Sequence, residues 1–231
     1  MIFKITLFFK VSKDMVMKHN PDPIQTLGEI RSLMERSARF ISLSGLSGVS
    51  AGIAALLGAA LVFVYTGKVP FDGRVIAHGY LLENEKWGMS YPLFFVLVAA
   101  AVFVLAVGGG IFFTTRNARR KGQKVWDSLT TRMLINLAIP LVTGGIFCLA
   151  LLQYQVVGFV APTTLVFYGM ALLHASKYTL PDIRYLGLCE IALGLIGLFS
   201  IGYGLELWVI GFGVLHIAYG IWMYGRYERA A

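Results

Sequence analysis

From Phe40 onward the chain alternates between long apolar runs and short polar segments. Six runs stand out, covering about 40–65, 91–113, 133–152, 156–175, 185–203 and 205–224. Each is close to the ~20 residues that a helix needs to cross a bilayer, within a range of ~17–25. Hydrocarbon offers no partner to an open backbone, so runs of this kind cross it as helices. The pattern predicts an all-α membrane protein, a bundle of six transmembrane helices. Ahead of the bundle, Ile24, Leu27, Ile30 and Met34 recur at helical spacing. Asp22, Pro23 and Gln25 form a helix start: a capping carboxylate, a proline at the first helical position, and the reciprocal side chain of a capping box. Residues 1–39 therefore read as a cytoplasmic tail and a short amphipathic helix, and residues 40–231 as the membrane domain. The first apolar stretch, MIFKITLFF, lacks a following small-residue cleavage site, so Met15 or Met17 is a more natural start than Met1 for this reading.

Composition agrees with the pattern. Hydrophobic residues make up 57% and charged residues 14%, against ~25% charged in an ordinary soluble domain. The net charge of +8 raises the question of nucleic acid, but its distribution answers it. The segments that would share one side of the membrane hold 7, 6, 2 and 2 Lys and Arg residues, whereas the other side holds three, Lys68, Arg74 and Lys86. Basic residues gather on the cytoplasmic side of short-looped membrane proteins, so the asymmetry predicts cytoplasmic termini and a multi-pass protein of the inner (plasma) membrane. No nucleic-acid partner is expected. The densest basic stretch, Arg116, Arg119, Arg120, Lys121 and Lys124, is either a topology anchor or a contact for acidic lipid headgroups. Cys148 and Cys189 fall in opposite halves of their helices, too far apart for a disulfide.

Small residues mark helix contacts. In the first span Ser44, Gly48 and Gly52 recur every fourth residue. Such a stripe lets another helix approach closely, within the chain, in a second copy, or in a membrane partner. Gly194 in the fifth span, and Gly213 and Gly220 in the sixth, are further packing positions.

Glu190 and His216 are the ionisable residues set deepest in apolar runs, about 12 and 15 Å along their helices from the flanking Asp182 and Arg226. Ionisable groups in hydrocarbon are expensive and mark sites or pathways. Glu190 shares a face with Gly187, Gly194 and Gly197, and His216 one with Gly213 and Gly220, so contact between the two is expected where spans 5 and 6 meet. Asn136 and His174 lie in the same half of the bundle and extend the pair to a candidate polar cluster. Three chemistries fit it: a structural Glu–His bond, a proton or substrate site, or histidine ligation of a metal or haem. No ligand spacing singles out the last, and no cofactor is expected.

Two strings carry a resemblance: GEIRSLMERSARFISLSGLSG over Gly28–Gly48, and YGMALLHASKYTLPDIRYLGLCE over Tyr168–Glu190. Through them the chain resembles a family of polytopic membrane proteins of Bacteroidetes-type bacteria. The resemblance implies the fold and the compartment and brings no activity or site residue with it. Nothing in the chain matches a nucleotide loop, a metalloprotease helix or a rhomboid-type serine site, so no enzymatic activity is expected. Two functions lead, a small proton-linked transporter or permeation unit using Glu190 and His216, or a non-enzymatic sensor or assembly protein acting through helix contacts. A membrane redox or metal-dependent enzyme using His174 and His216 is the third, which a chain with no soluble catalytic domain favours less.

Overall fold

The computed structural model describes Leu27 and residues 43–73, 85–122 and 125–229. The chain divides into two units, Met1–Arg39 and Phe40–Ala231. The amphipathic helix expected in the first unit lies outside the described residues, as does Lys124. Among its described residues the second unit is mainly helical, with one small hairpin. Helix α1 spans Gly45–Thr66, α2 Tyr91–Arg120, α3 Ser128–Gln153, α4 Val160–Ala175 and α5 Ile183–Phe199. The last helix, α6, runs continuously over Ile201–Tyr227. Five of these are long and apolar enough to cross a membrane: α1, α2, α3, α4 with its leading turn from Val157, and α6.

Local chemistry sets the boundaries. Gly67 ends α1 in the left-handed region at φ 66°, with its N–H on the Phe63 carbonyl. The hairpin pairs β1, Glu85–Lys86, with β2, Met89–Ser90, through a Trp87–Gly88 turn in which both residues have positive φ. It leads straight into α2, whose second residue is Pro92. The basic residues Arg116, Arg119 and Arg120, expected in a loop, continue α2 to its end and are exposed. Helix α3 starts at Ser128, earlier than the apolar run. The cause is Asp127, whose carboxylate accepts the Thr130 N–H at 2.7 Å and the Thr130 hydroxyl at 2.8 Å. These bonds hold the Asp127 carboxyl below its ordinary value.

The bundle is built around α6. Helix α1 packs on one side of it, and α4 and α5 on the other, while α2 packs on α1 and α3 on α4. Glycines make the inner contacts possible. A Cβ at Gly52 would stand 2.7 Å from the Gly213 carbonyl, and one at Gly220 would stand 2.6 Å from the Gly45 carbonyl. Across α4 and α5, a Cβ at Gly169 would lie 2.5 Å from the Gly187 carbonyl, and one at Gly194 would lie 2.8 Å from the Pro162 carbonyl. The backbones therefore touch, which is how helices associate where apolar surface gains nothing by leaving lipid. The outer helix α2 leaves a broad apolar face uncovered, with Phe103 67% and Val104 66% exposed.

Glu228, just beyond α6, closes the ring of contacts. It accepts the Ser44 hydroxyl at 3.0 Å and the Gly45 N–H at 2.5 Å, capping the start of α1 with a carboxylate where the helix dipole favours one. The similar strings VVGF at Val156–Phe159 and VIGF at Val209–Phe212 occupy different settings. The first string forms the turn that leads into α4, and the second lies well inside α6.

Candidate functional site

The polar centre of the bundle lies where α4, α5 and α6 meet. Glu190 projects from α5 and is fully buried, and His216 from α6 is 4% exposed. Helix α6 is not regular here. Val209–Leu215 winds as a π-helix, a wider turn that recurs at functional sites. His216 is the first residue after it, and its Nδ1 lies 3.0 Å from the Gly211 carbonyl. A carbonyl only accepts, so Nδ1 carries the proton. Nε2 lies 2.8 Å from the Tyr168 hydroxyl of α4. In the neutral ring Nε2 is the acceptor and Tyr168 donates to it.

Glu190 Oε1 stands 3.3 Å from His216 Nδ1. That distance suits an ion pair, but the ring N–H is directed to Gly211, and neither carboxylate oxygen makes a hydrogen bond. Oε2 lies against Gly211, where any Cβ would overlap it and the Leu165 side chain. Among the described residues, Glu190 Oε1 and Oε2 and Tyr219 Oη are the buried side-chain polar atoms without a hydrogen-bond partner. Buried polar groups are almost always satisfied, so each exception needs a reason. Phe212 stacks on the His216 ring at 5.7 Å between centroids, and Trp208 packs tilted against Phe212 at 4.9 Å, on the side toward the start of α6.

The candidate residues from the sequence separate into two sets. Glu190 and His216 are neighbours, through an arrangement unlike the expected one. The glycine face of α5 meets α4, that of α6 meets α1, and Gly211 alone admits the carboxylate. Asn136 is not at the pair; its amide donates to the Arg132 carbonyl of its own helix at 2.9 Å. His174 is half-buried in the last turn of α4 and makes no side-chain bond to Glu190 or His216 among the described residues. Tyr168 completes the cluster instead. Of the packing positions, Gly48 and Gly52 of α1 face α6, Gly213 and Gly220 face α1, Gly194 faces α4, and Ser44 is buried against Glu228. Lys121 reaches the Tyr227 carbonyl at 3.3 Å, which draws it away from the exposed arginines.

A second buried acid was not singled out from the sequence. Glu206, near the start of α6, pairs with Lys68 at 2.8 Å and accepts the Phe71 N–H at 3.1 Å. Lys68 also donates to the Gly202 carbonyl at 2.6 Å. Both side chains are at most 7% exposed. Every charge here is satisfied, in contrast to Glu190.

A cavity of about 270 Å³ lies elsewhere, between α1 and α2. Gly58, Leu61, Phe94, Val98 and Val102 line it, and it is apolar throughout. No family profile, curated protein or solved structure matches the chain.

Proposed function

We propose that the chain is a small proton-linked transport or permeation unit of a bacterial inner membrane, with Glu190 and His216 holding the coupling proton. The observation that carries this reading is the Glu190 carboxyl group, fully buried with no hydrogen bond to either oxygen. A bare carboxylate in such a place costs several kcal/mol, on the order of the penalty for a buried ion. One proton shared with His216 removes the net charge, whether it rests on the carboxyl or on the ring. Losing that proton leaves an uncompensated charge, and the surrounding helices must rearrange to hydrate it. The π-helical segment beside His216 supplies an element able to do so, because π and α windings differ by a small shift along the helix. The site is too enclosed for a solute, so the solute route lies between helices that move when the proton leaves. In this reading α5, a 17-residue helix of about 25 Å, also crosses the membrane and brings the spans to six. The end bearing Asp182, Lys121 and Arg226 faces the cytoplasm, because the basic residues gather there.

The test is reconstitution into liposomes under a pH gradient. Glu190→Gln, which keeps shape and removes the titrating group, is expected to abolish proton-dependent flux. Unchanged flux from a folded variant rules the reading out.

The uncovered face of α2 favours a second reading, a sensor or assembly protein. Its partner surface is then α2, because the small-residue stripe of α1 is occupied by α6. Mass measurement in native lipid decides: a complex broken by Phe103→Ala with Val104→Ala, and unaffected by Glu190→Gln, supports it.

A further inference from the structure

Resting on the proton-holding reading, we propose that the proton reaches Glu190 and His216 from one end of the bundle only, the end that carries Asp182. The Tyr219 hydroxyl is the relay residue on that route.

Among the described residues, the opposite end is closed. Lys68 and Glu206 saturate each other there, with Phe71 N–H and the Gly202 carbonyl taking up the remaining bonds. Gly202 presses on Gly73 so closely that no Cβ fits between them. Deeper in, Trp208 and Phe212 lie between Glu206 and His216 along α6, ring against ring, and neither offers a group that both accepts and donates a proton.

The Asp182 end is different. The Asp182 carboxylate accepts the Tyr227 hydroxyl at 2.5 Å and lies 3.8 Å from Arg226, both near the end of α6. Tyr219 stands between this group and His216 on the same helix, three residues from His216 and eight from Tyr227, so the three share one stripe. Its hydroxyl is buried, has no hydrogen-bond partner, and lies within electrostatic reach of Asp182 and Tyr227. Tyr219 and Tyr168 pack against the same cluster of Leu172, Ile183, Leu186 and Met223, and Tyr168 bonds His216 directly. Phenylalanine would fill the Tyr219 position without the cost of a buried, unpaired hydroxyl, which singles out the hydroxyl itself. A phenol both donates and accepts. It passes its own proton inward toward Tyr168 and His216 by way of water, takes another from the Asp182 side, and ends unchanged. The groups facing the site are Tyr168 from α4, Glu190 from α5 and the Gly211 carbonyl from α6, while α1 meets this stretch of α6 with glycine backbone and the apolar side chains of Val49 and Leu56.

The experiment is infrared difference spectroscopy of the whole chain in lipid nanodiscs after light-triggered release of a caged proton. The protonated Glu190 carboxyl band is assigned by its loss in Glu190→Gln. In Tyr219→Phe the band is expected to reach its full amplitude but to rise at least roughly ten-fold more slowly, since a positioned acid–base group contributes that much or more to proton transfer. A structural role for Tyr219 would change the amplitude rather than the rate. Asp182→Asn is expected to slow the rise in the same way and serves if Tyr219→Phe does not fold. A band with the wild-type rate in the folded variants overturns the relay and leaves the proton-holding site standing. If the wild-type protein shows no Glu190-dependent band, the proton-holding site fails and the relay fails with it.

Discussion

Replacing Lys68 by Met, alone and together with Glu206→Met, tests how the far end of the bundle is held. In the wild-type protein Glu206 has two kinds of partner, the Lys68 ammonium at 2.8 Å and the Phe71 N–H at 3.1 Å. Lys68→Met leaves a carboxylate that is 1% exposed with one backbone donor. Breaking a buried pair from one side costs about 3–5 kcal/mol, because the surviving charge stays buried and uncompensated. Glu206→Met strands the ammonium in the same way, with the Gly202 carbonyl as its remaining acceptor. Additive effects would make the double variant worse by about 6–10 kcal/mol. The expected outcome is smaller. With both charges gone, apolar replacement of a buried pair is neutral to stabilising, and the remaining losses are the acceptor of Phe71 N–H and the donor to the Gly202 carbonyl, about 1–3 kcal/mol each at most. The double variant should therefore be more stable than either single variant, with a coupling energy of several kcal/mol. Equilibrium unfolding of all four proteins in mixed detergent micelles measures this directly. A Lys68→Met cost below about 1 kcal/mol, the range of an exposed pair, would refute the enclosed geometry described for this end.

Three further outcomes are expected. Gly211→Ala places a methyl group against Glu190 Oε2 and Leu165, and overpacking of this kind costs about 1–3 kcal/mol in the same unfolding assay. Tyr168→Phe removes the hydroxyl bonded to His216 Nε2, and should lower stability by about 1 kcal/mol and shift the ring nitrogen signals of His216 in nuclear magnetic resonance. Asp127→Ala removes the cap of α3, with an expected loss of about 1 kcal/mol. Because the folded state holds the Asp127 carboxyl below its ordinary value, that contribution is complete above the ordinary carboxylate range. It disappears as pH falls through the lowered value, so wild type and variant should converge in strong acid.

The helices were legible in the sequence because apolar run length is a direct measure of what a bilayer accepts. Glu190 and His216 were legible for the same reason, as charged side chains in runs that otherwise exclude them. Azimuth was not legible. Asn136 and His174 share the depth of the pair, but depth says nothing about which way a side chain points around its helix, and Asn136 turns back to bond its own backbone. The π-helical winding of Val209–Leu215 leaves no trace in apolar periodicity, so the face of His216 was inferred from a regular helix. Lys68 entered the charge count only as one of three basic residues on its side of the membrane. Its partner lies 138 residues away, beyond any local pattern. Tyr168 and Tyr219 were not singled out, since only three-dimensional neighbours distinguish a bonded hydroxyl from a stranded one.

The seating of α1 against α6 has a consequence for biosynthesis. Ser44 and its Glu228 partner are 184 residues apart. At synthesis rates of ~5–20 residues per second, α1 exists for roughly 10–40 s before its partner helix is made. During that interval Gly45, Gly48 and Gly52 present bare backbone to the lipid, with α2 able to cover only another side of α1. A translocation machinery or membrane chaperone that recognises small-residue helices therefore has a window for engaging this chain, and the arrival of α6 closes it.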